Sequence, residues 1–204
     1  MEPFTTFKAM AAPMAHVNVD TDQIIPKQFL KMASRETLGK ALFNDWRYVG
    51  GDWARPDPAF VLNQPRYRAA RILVAGDNFG CGSSRETAPW ALMEYGFRCV
   101  ISTSFADIFY NNSIKNGLLP AIVSADDLAK LMGEVEANEG LEITADLPAQ
   151  TLRTSTGLEF PFRIEAHVKH SLLKGLDDIA VILQFEEQIA AFERHSKAAF
   201  PWLG

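Results

Sequence analysis

The groups that could do chemistry crowd into one stretch, Gly76-Asp77-Asn78-Phe79-Gly80-Cys81-Gly82-Ser83-Ser84-Arg85-Glu86-Thr87-Ala88-Pro89-Trp90. Its glycines let the backbone turn through positive φ and let a ligand approach main-chain N–H groups, while Ser83, Ser84 and Arg85 offer two hydroxyls and a guanidinium. Such a mouth suits an anion. The bland reading makes Ser83-x-x-Glu86 a capping box ahead of an apolar helix. Pro89 argues against that, because proline is tolerated only where a helix has no amide hydrogen to donate. A helix containing Pro89 therefore begins near Thr87, itself a good N-cap residue. Ser83, Ser84 and Arg85 then lie in the loop before the helix, with free amides and the positive dipole end behind them.

Other candidates carry less. Cys81 and Cys99 cannot build a disulfide framework and fall short of the three or four thiolates that an iron–sulfur or zinc site usually needs. Cys99 reads as core. Cys81 is either a nucleophile or, the favoured reading, a small loop residue packed against the helix. Asp20-Thr21-Asp22 reads as an Asx-type turn that satisfies its own backbone, or as a pair of carboxylates that orient a basic group or a water. His16 reads as structural, and the spacing of three between His167 and His170 is not taken as a metal site.

The elements that must position these groups follow from periodicity. Ile72-Leu73-Val74-Ala75 is a strand, the loop follows, and Ala91 to Tyr95 completes a helix that Gly96 closes. A strand at Phe97 to Ser102, a helix at Ser104 to Lys115 stopped by Asn116-Gly117, and a strand at Leu118 to Val123 come next. Strands alternating with helices predict a parallel βαβα unit, with ligands beyond the carboxyl ends of its strands, where the glycine loop lies. Ala125 to Met132 reads as an amphipathic helix with a favourable acidic start. Beyond it the period becomes two, and Leu141-Thr144, Thr151-Arg153 and Phe160-Ile164 read as antiparallel strands. Upstream, Ala15 to Val19 reads as a short strand and Phe29 to Leu42 as helix-forming. The aromatic segment holding Phe43, Trp46, Tyr48 and Trp53 reads as a long loop that covers a partner or tucks into a satellite core. The expected class is α/β with a mixed sheet. The chain is expected to form a single domain over residues 1–204 with a C-terminal helical extension at about 177–204, as one helix or as two with a bend near Phe185.

A net charge of -5 without charged blocks argues against a nucleic-acid partner. No apolar run is long enough to span a bilayer. The opening Met1-Glu2-Pro3-Phe4-Thr5-Thr6-Phe7 has neither a basic signal start nor a transit composition, so a cytoplasmic protein is expected.

Taken together, Asp20-Thr21-Asp22-x-Ile24-Ile25-Pro26, the run Gly76 to Glu86, Ser104-Phe105-Ala106-Asp107-Ile108-Phe109-Tyr110-Asn111-Asn112 and Asn116-Gly117-Leu118-Leu119-Pro120 resemble the small subunits of 3-isopropylmalate dehydratases. The resemblance spans nearly the whole chain. It implies the swivelling β/β/α domain of the aconitase superfamily and a separate large subunit whose [4Fe-4S] cluster acts on the hydroxyl of a small dicarboxylate. It further implies that Ser83 removes the carbon-bound proton as an alkoxide, that Arg85 binds a substrate carboxylate, and that Ser84 shapes the site. Asp22 would organise the polar end. Phe29, Leu30 and Met32 match the loop that chooses among alkyl substituents and suit an isopropyl group. The chain departs from the family pattern at Thr87, where members commonly carry histidine. That leaves open the same chemistry on a related 2-alkylmalate or citraconate-like acid. A separate alternative is a non-catalytic partner of the cluster-bearing subunit whose loop merely binds an anion, against which the presence of both serines and the arginine weighs. The loop satisfies neither the Gly-x-Gly-x-x-Gly fingerprint nor the Lys-bearing P-loop, which argues against a nucleotide.

Overall fold

The computed structural model describes residues 1–31, 35–200 and 202. Seven strands, β1 (Thr6–Met14), β2 (Ile72–Ala75), β3 (Cys99–Ser102), β4 (Leu119–Ile122), β5 (Glu142–Asp146), β6 (Thr151–Thr154) and β7 (Glu159–Pro161), form one mixed sheet in the order β4-β3-β2-β1-β5-β6-β7. The helices are α1 (Thr21–Ile24), α2 (Arg35–Ala41), α3 (Asn44–Arg47), α4 (Thr87–Tyr95), α5 (Asp107–Asn116), α6 (Ala125–Ala137), α7 (Ala166–Lys174), α8 (Asp178–Leu183) and α9 (Glu186–Ala199). Among the described residues no helix is long and apolar enough to cross a membrane.

The hinge of this architecture is β1, which belongs to both halves of the sheet. Its residues Ala11 to Met14 pair parallel with β2, and Thr6 to Met10 pair antiparallel with β5. Burial follows the pairing: Ala11 to Met14 are all buried, whereas Thr6 to Met10 are exposed or half-buried. Parallel strands are covered on both faces, and antiparallel ones can leave one face wet. The short strand expected at Ala15 to Val19 is displaced upstream, because those residues have already left the sheet. Alanine and methionine fill much of β1, so its pattern lacks the β-branched and aromatic signal of a strand.

The parallel unit β2-α4-β3-α5-β4 matches the sequence pattern, with Gly96 and Gly117 in left-handed conformations closing α4 and α5. α5 starts at Asp107, three residues later than expected, because Phe79 and Phe105 form a parallel bridge that holds the preceding segment extended. The helical stretch expected at Phe29 to Leu42 is broken. A 3₁₀ turn at Lys27–Phe29 precedes α2, and Met32 lies outside the described residues. Gly39 lets α2 lie against α4, since a Cβ there would sit 2.6 Å from the Glu94 carbonyl carbon. The aromatic segment joins the main core, with Phe43 a member of it and Trp46 and Trp53 packed against it, and forms no separate satellite. Trp46 stacks between His16 and Phe43, and Trp53 donates its indole N–H to Asn44 Oδ1 at 2.7 Å. At the C-terminal end α8 and α9 are separate helices broken at Gln184 and Phe185.

Candidate active site

The glycine loop is clamped between two extended segments. On one flank Asn18 N–H donates to Asp77 O at 2.8 Å, Gly80 N–H to Val19 O at 2.7 Å and Thr21 N–H to Cys81 O at 2.9 Å. On the other, Asn78 N–H donates to Ser104 Oγ at 2.9 Å, Phe79 N–H to Ser104 O at 3.1 Å and Ala106 N–H to Phe79 O at 3.1 Å. Asp77 locks the root. It accepts from Ser104 Oγ and Thr103 Oγ1, each at 2.6 Å, and these bonds, Ser104 first, hold its carboxyl below the ordinary range. Gly80 sits at φ 79°, and a Cβ there would fall 2.2 Å from Phe109 Cγ, so only glycine lets the loop pass over α5.

Beyond Cys81 the backbone opens. Among the described residues, none of the amides from Gly82 to Glu86 has an acceptor within the chain, and the hydroxyls of Ser83 and Ser84 are exposed and unbonded. They precede the nine-residue α4, whose N-cap is Glu86 without a side-chain cap bond. The capping box at Ser83 is therefore not formed, and Thr87 is the first helical residue and not the cap. Glu86 Oε1 instead accepts from Asn116 Nδ2 at 3.1 Å, and Thr87 Oγ1 is buried without a partner. Free amides and a helix dipole converge where an anion is favoured.

The Asp20-Thr21-Asp22 segment positions the cation of the site. Asp20 caps α1 in a reciprocal box with Gln23, with Gln23 N–H donating to Asp20 Oδ1 at 2.7 Å and Asp20 N–H to Gln23 Oε1 at 2.8 Å. Thr21 Oγ1 donates to Ser83 O at 3.1 Å, tying this turn to the loop. Asp22 is thereby projected toward Arg85, whose Nη1 and Nη2 donate to Asp22 Oδ1 at 2.5 Å and Oδ2 at 3.0 Å. Nη1 also reaches Ile25 O at 3.4 Å. A guanidinium has five N–H donors and more than one edge that can take a carboxylate. Asp22 occupies the Nη1/Nη2 edge, and the Nε/Nη2 edge has no partner among the described residues.

Ser83, Ser84, Arg85 and Asp22 thus come together on one surface. Phe29 is half-buried with its ring stacked on Trp53, centroids 5.8 Å apart, and Leu30 is exposed on the 3₁₀ turn that follows Pro26. Cys81 is half-buried and donates its S–H to Asn18 O at 3.3 Å; burial first, then the Asp20 charge, pushes its thiol pKa up. That suits a packing residue and not a thiolate nucleophile. Among the described residues no group of three or more His, Cys, Asp or Glu is arranged to hold a metal ion. Sequence reasoning passed over Asp77, Thr103 and Ser104 as the latch of the loop. The available signal was an aspartate two residues past a strand end, with a hydroxyl pair directly past the next one.

Comparison with known proteins finds relatives along the whole chain. The Aconitase C-terminal domain family matches residues 1–126 and the LeuD_N family residues 129–166. The family built on the C-terminal domain of the 3-isopropylmalate dehydratase small subunit matches residues 178–204. The 3-isopropylmalate dehydratase small subunit of Azorhizobium caulinodans is 55% identical over 203 residues, covering 100% of both chains. That of Psychromonas ingrahamii is 54% identical over 203 residues, covering 100% of this chain and 99% of its own. A crystal structure of 3-isopropylmalate dehydratase from Methanocaldococcus jannaschii superposes with a TM-score of 0.65 at 27% identity, covering 92% of this chain and 99% of that one. With relatives matched end to end at more than half identity, the chain belongs to the family of 3-isopropylmalate dehydratase small subunits.

Proposed function

We propose that this chain contributes Ser83 as base and Arg85 as carboxylate anchor to a two-subunit hydro-lyase of leucine biosynthesis that interconverts 2-isopropylmalate and 3-isopropylmalate. The observation that carries the reading is the half-used guanidinium. Asp22 fixes one edge of Arg85 while, among the described residues, nothing takes the Nε/Nη2 edge, which lies two residues from an exposed serine and beside a run of unbonded amides. A dicarboxylate fits that set. One carboxylate takes the free guanidinium edge bidentately, and the loop amides with the Ser84 hydroxyl serve the other.

In the dehydration step Ser83 Oγ, as the alkoxide, takes the proton from the carbon beside a carboxylate, the C–H electron pair becomes the new C=C bond, and hydroxide leaves the neighbouring carbon. Rehydration at the other carbon returns that proton from Ser83 Oγ. The alkoxide needs cationic and N–H neighbours, and one preorganised donor is typically worth about 3–4 kcal/mol. In the free chain Ser83 faces water, which would protonate it, so the large subunit must cover the loop before the base can form. Activity is therefore confined to the complex.

The described residues do not fit an iron–sulfur cluster: Cys99 is fully buried and Cys81 stands alone on the loop. The family resemblance assigns a [4Fe-4S] cluster to the large subunit. Both cysteines are free, which suits the reducing cytoplasm. Phe29 and Leu30 supply apolar surface for the isopropyl group, with Met32 beyond the described residues. Such surface separates neighbouring alkyl groups by about 1–3 kcal/mol per methylene, so 2-isopropylmalate is the expected best substrate among 2-alkylmalates and not the sole one.

The deciding experiment reconstitutes Ser83→Ala with the large subunit. The complex should assemble, retain the iron signature of its partner and show no turnover of 2-isopropylmalate. Wild-type turnover would remove Ser83 as the base.

A further inference from the structure

The catalytic loop uses little of the molecule's apolar surface, and the largest exposed reserve lies far along the chain. Ile179, Ile182, Phe185, Ile189, Phe192 and Trp202 are all exposed, Ile179 by 69%, Phe192 by 71% and Trp202 by 75%. No residue of α9 is buried. The contrast with α7 is direct, since α7 buries Val168 and Leu172 against the body of the protein. Ile179 and Ile182 lie three apart on α8, Ile189 and Phe192 three apart on α9, and Phe185 stands at the break between them, so each helix carries an apolar pair on one side. An isolated helix of fourteen residues is marginal in water and draws its stability from packing an apolar face.

We infer that α8 and α9 form an arm whose apolar stripe docks into a groove on the large subunit, and that this arm, not the catalytic face, supplies most of the affinity between the two chains. The inference rests on the two-subunit reading above. Exposed at these fractions, the six side chains present roughly 800 Å², against about 800 Å² per partner in a standard interface and about 300–600 Å² for the largest patch of a typical monomer. The arm also coincides with the family match that is particular to small subunits, at residues 178–204, separate from the Aconitase C-terminal domain match at residues 1–126. A domain carried within one chain is held near its partner domains by the tether, whereas a separate subunit must replace that effective concentration with interface.

Charge selects the occupant. Residues 177–200 carry Asp177, Asp178, Glu186, Glu187 and Glu193 against Arg194 and Lys197. A second copy would bring two acidic segments together, and an anionic membrane surface favours the opposite sign. The complementary groove is apolar with a basic rim, the form in which amphipathic helices are usually bound.

The test uses the full chain carrying Ile189→Asp and Phe192→Asp, mixed with its purified large subunit and followed by sedimentation and calorimetry. Both positions are exposed, so the circular dichroism of the variant alone should match wild type. The Kd for the large subunit should rise at least 100-fold, while kcat extrapolated to saturating variant stays within twofold. Ile189→Leu with Phe192→Leu, which keeps the stripe apolar, should bind within threefold of wild type. A Kd within threefold for the Asp variant overturns the inference. So does a wild-type dimer of this chain that the Asp variant dissolves, or flotation of wild type alone with anionic vesicles. Ser83→Ala, measured alongside, separates the two readings: it should bind with wild-type Kd and be inactive, and its outcome does not bear on the arm.

Discussion

Replacing Arg85 with lysine tests the link between geometry and substrate binding most sharply. The guanidinium side chain is 15% exposed and the Asp22 side chain 50% exposed. A pair with one partner half in water contributes about 0–1 kcal/mol, so Arg85→Lys should leave the melting temperature nearly unchanged. Its effect on substrate is different in kind. Lysine carries three donors on a point charge and can keep either Asp22 or a substrate carboxylate, but it cannot present a second planar fork. Hydrogen bonds to charged groups are worth about 1.5–3 kcal/mol each, and losing one to a bound carboxylate should cost about 2–3 kcal/mol, or ~30–150-fold in kcat/KM. The carboxylate keeps its charge through the proton transfer, so the loss is of uniform binding and should fall on KM with kcat little changed. The assay is initial-rate kinetics of the reconstituted complex with 2-isopropylmalate, following the unsaturated diacid by its ultraviolet absorbance. KM within threefold of wild type would refute the anchoring role. A loss confined to kcat would show that Arg85 acts on the developing charge and not on a spectator carboxylate. Asp22→Asn is the companion variant. Arg85 keeps its bond to Ile25 O, and KM should rise only about 2–5-fold, in line with a half-exposed pair.

Ser83→Ala removes an exposed, unbonded hydroxyl, so stability should shift by less than about 0.5 kcal/mol in urea titration while turnover falls at least ~10³-fold. Gly80→Ala forces a Cβ onto a residue at φ 79° and within 2.2 Å of Phe109 Cγ, and should destabilise the chain by about 2–4 kcal/mol; a change under about 0.5 kcal/mol would contradict the close approach. Asp77, held below its usual 3.8 by Ser104 and Thr103, contributes stability that is present above that value and is lost as pH falls through its lower folded pKa. Asp77→Asn should therefore flatten the acid limb of the stability profile below about pH 4, and an unchanged limb would remove the latch from the account. Cys81→Ala should keep turnover within about twofold, as its raised thiol pKa disfavours the thiolate a nucleophile needs.

Local chemistry already declared much of this protein. Pro89 alone places the start of α4 and leaves Ser83, Ser84 and Arg85 outside the helix, as observed. Gly96 and Gly117 end their helices because few other residues tolerate left-handed backbone, and short apolar runs mark β2, β3 and β4. The family motifs are legible for the same reason, each of the four being a contiguous run of residues. The rest was decided by residues far apart in the chain. β1 escaped notice because its two halves take opposite kinds of partner, and no local period describes both. Asp22 and Arg85 are 63 positions apart, and Asp77 lies 26 and 27 positions from its hydroxyl donors. Propensity and periodicity act over a few residues, whereas these pairings exist only once the parallel strands bring separate loop ends to one edge of the sheet. The residue types of the site were therefore written in the sequence, and the sharing of one guanidinium between an internal carboxylate and a free edge was settled by the fold.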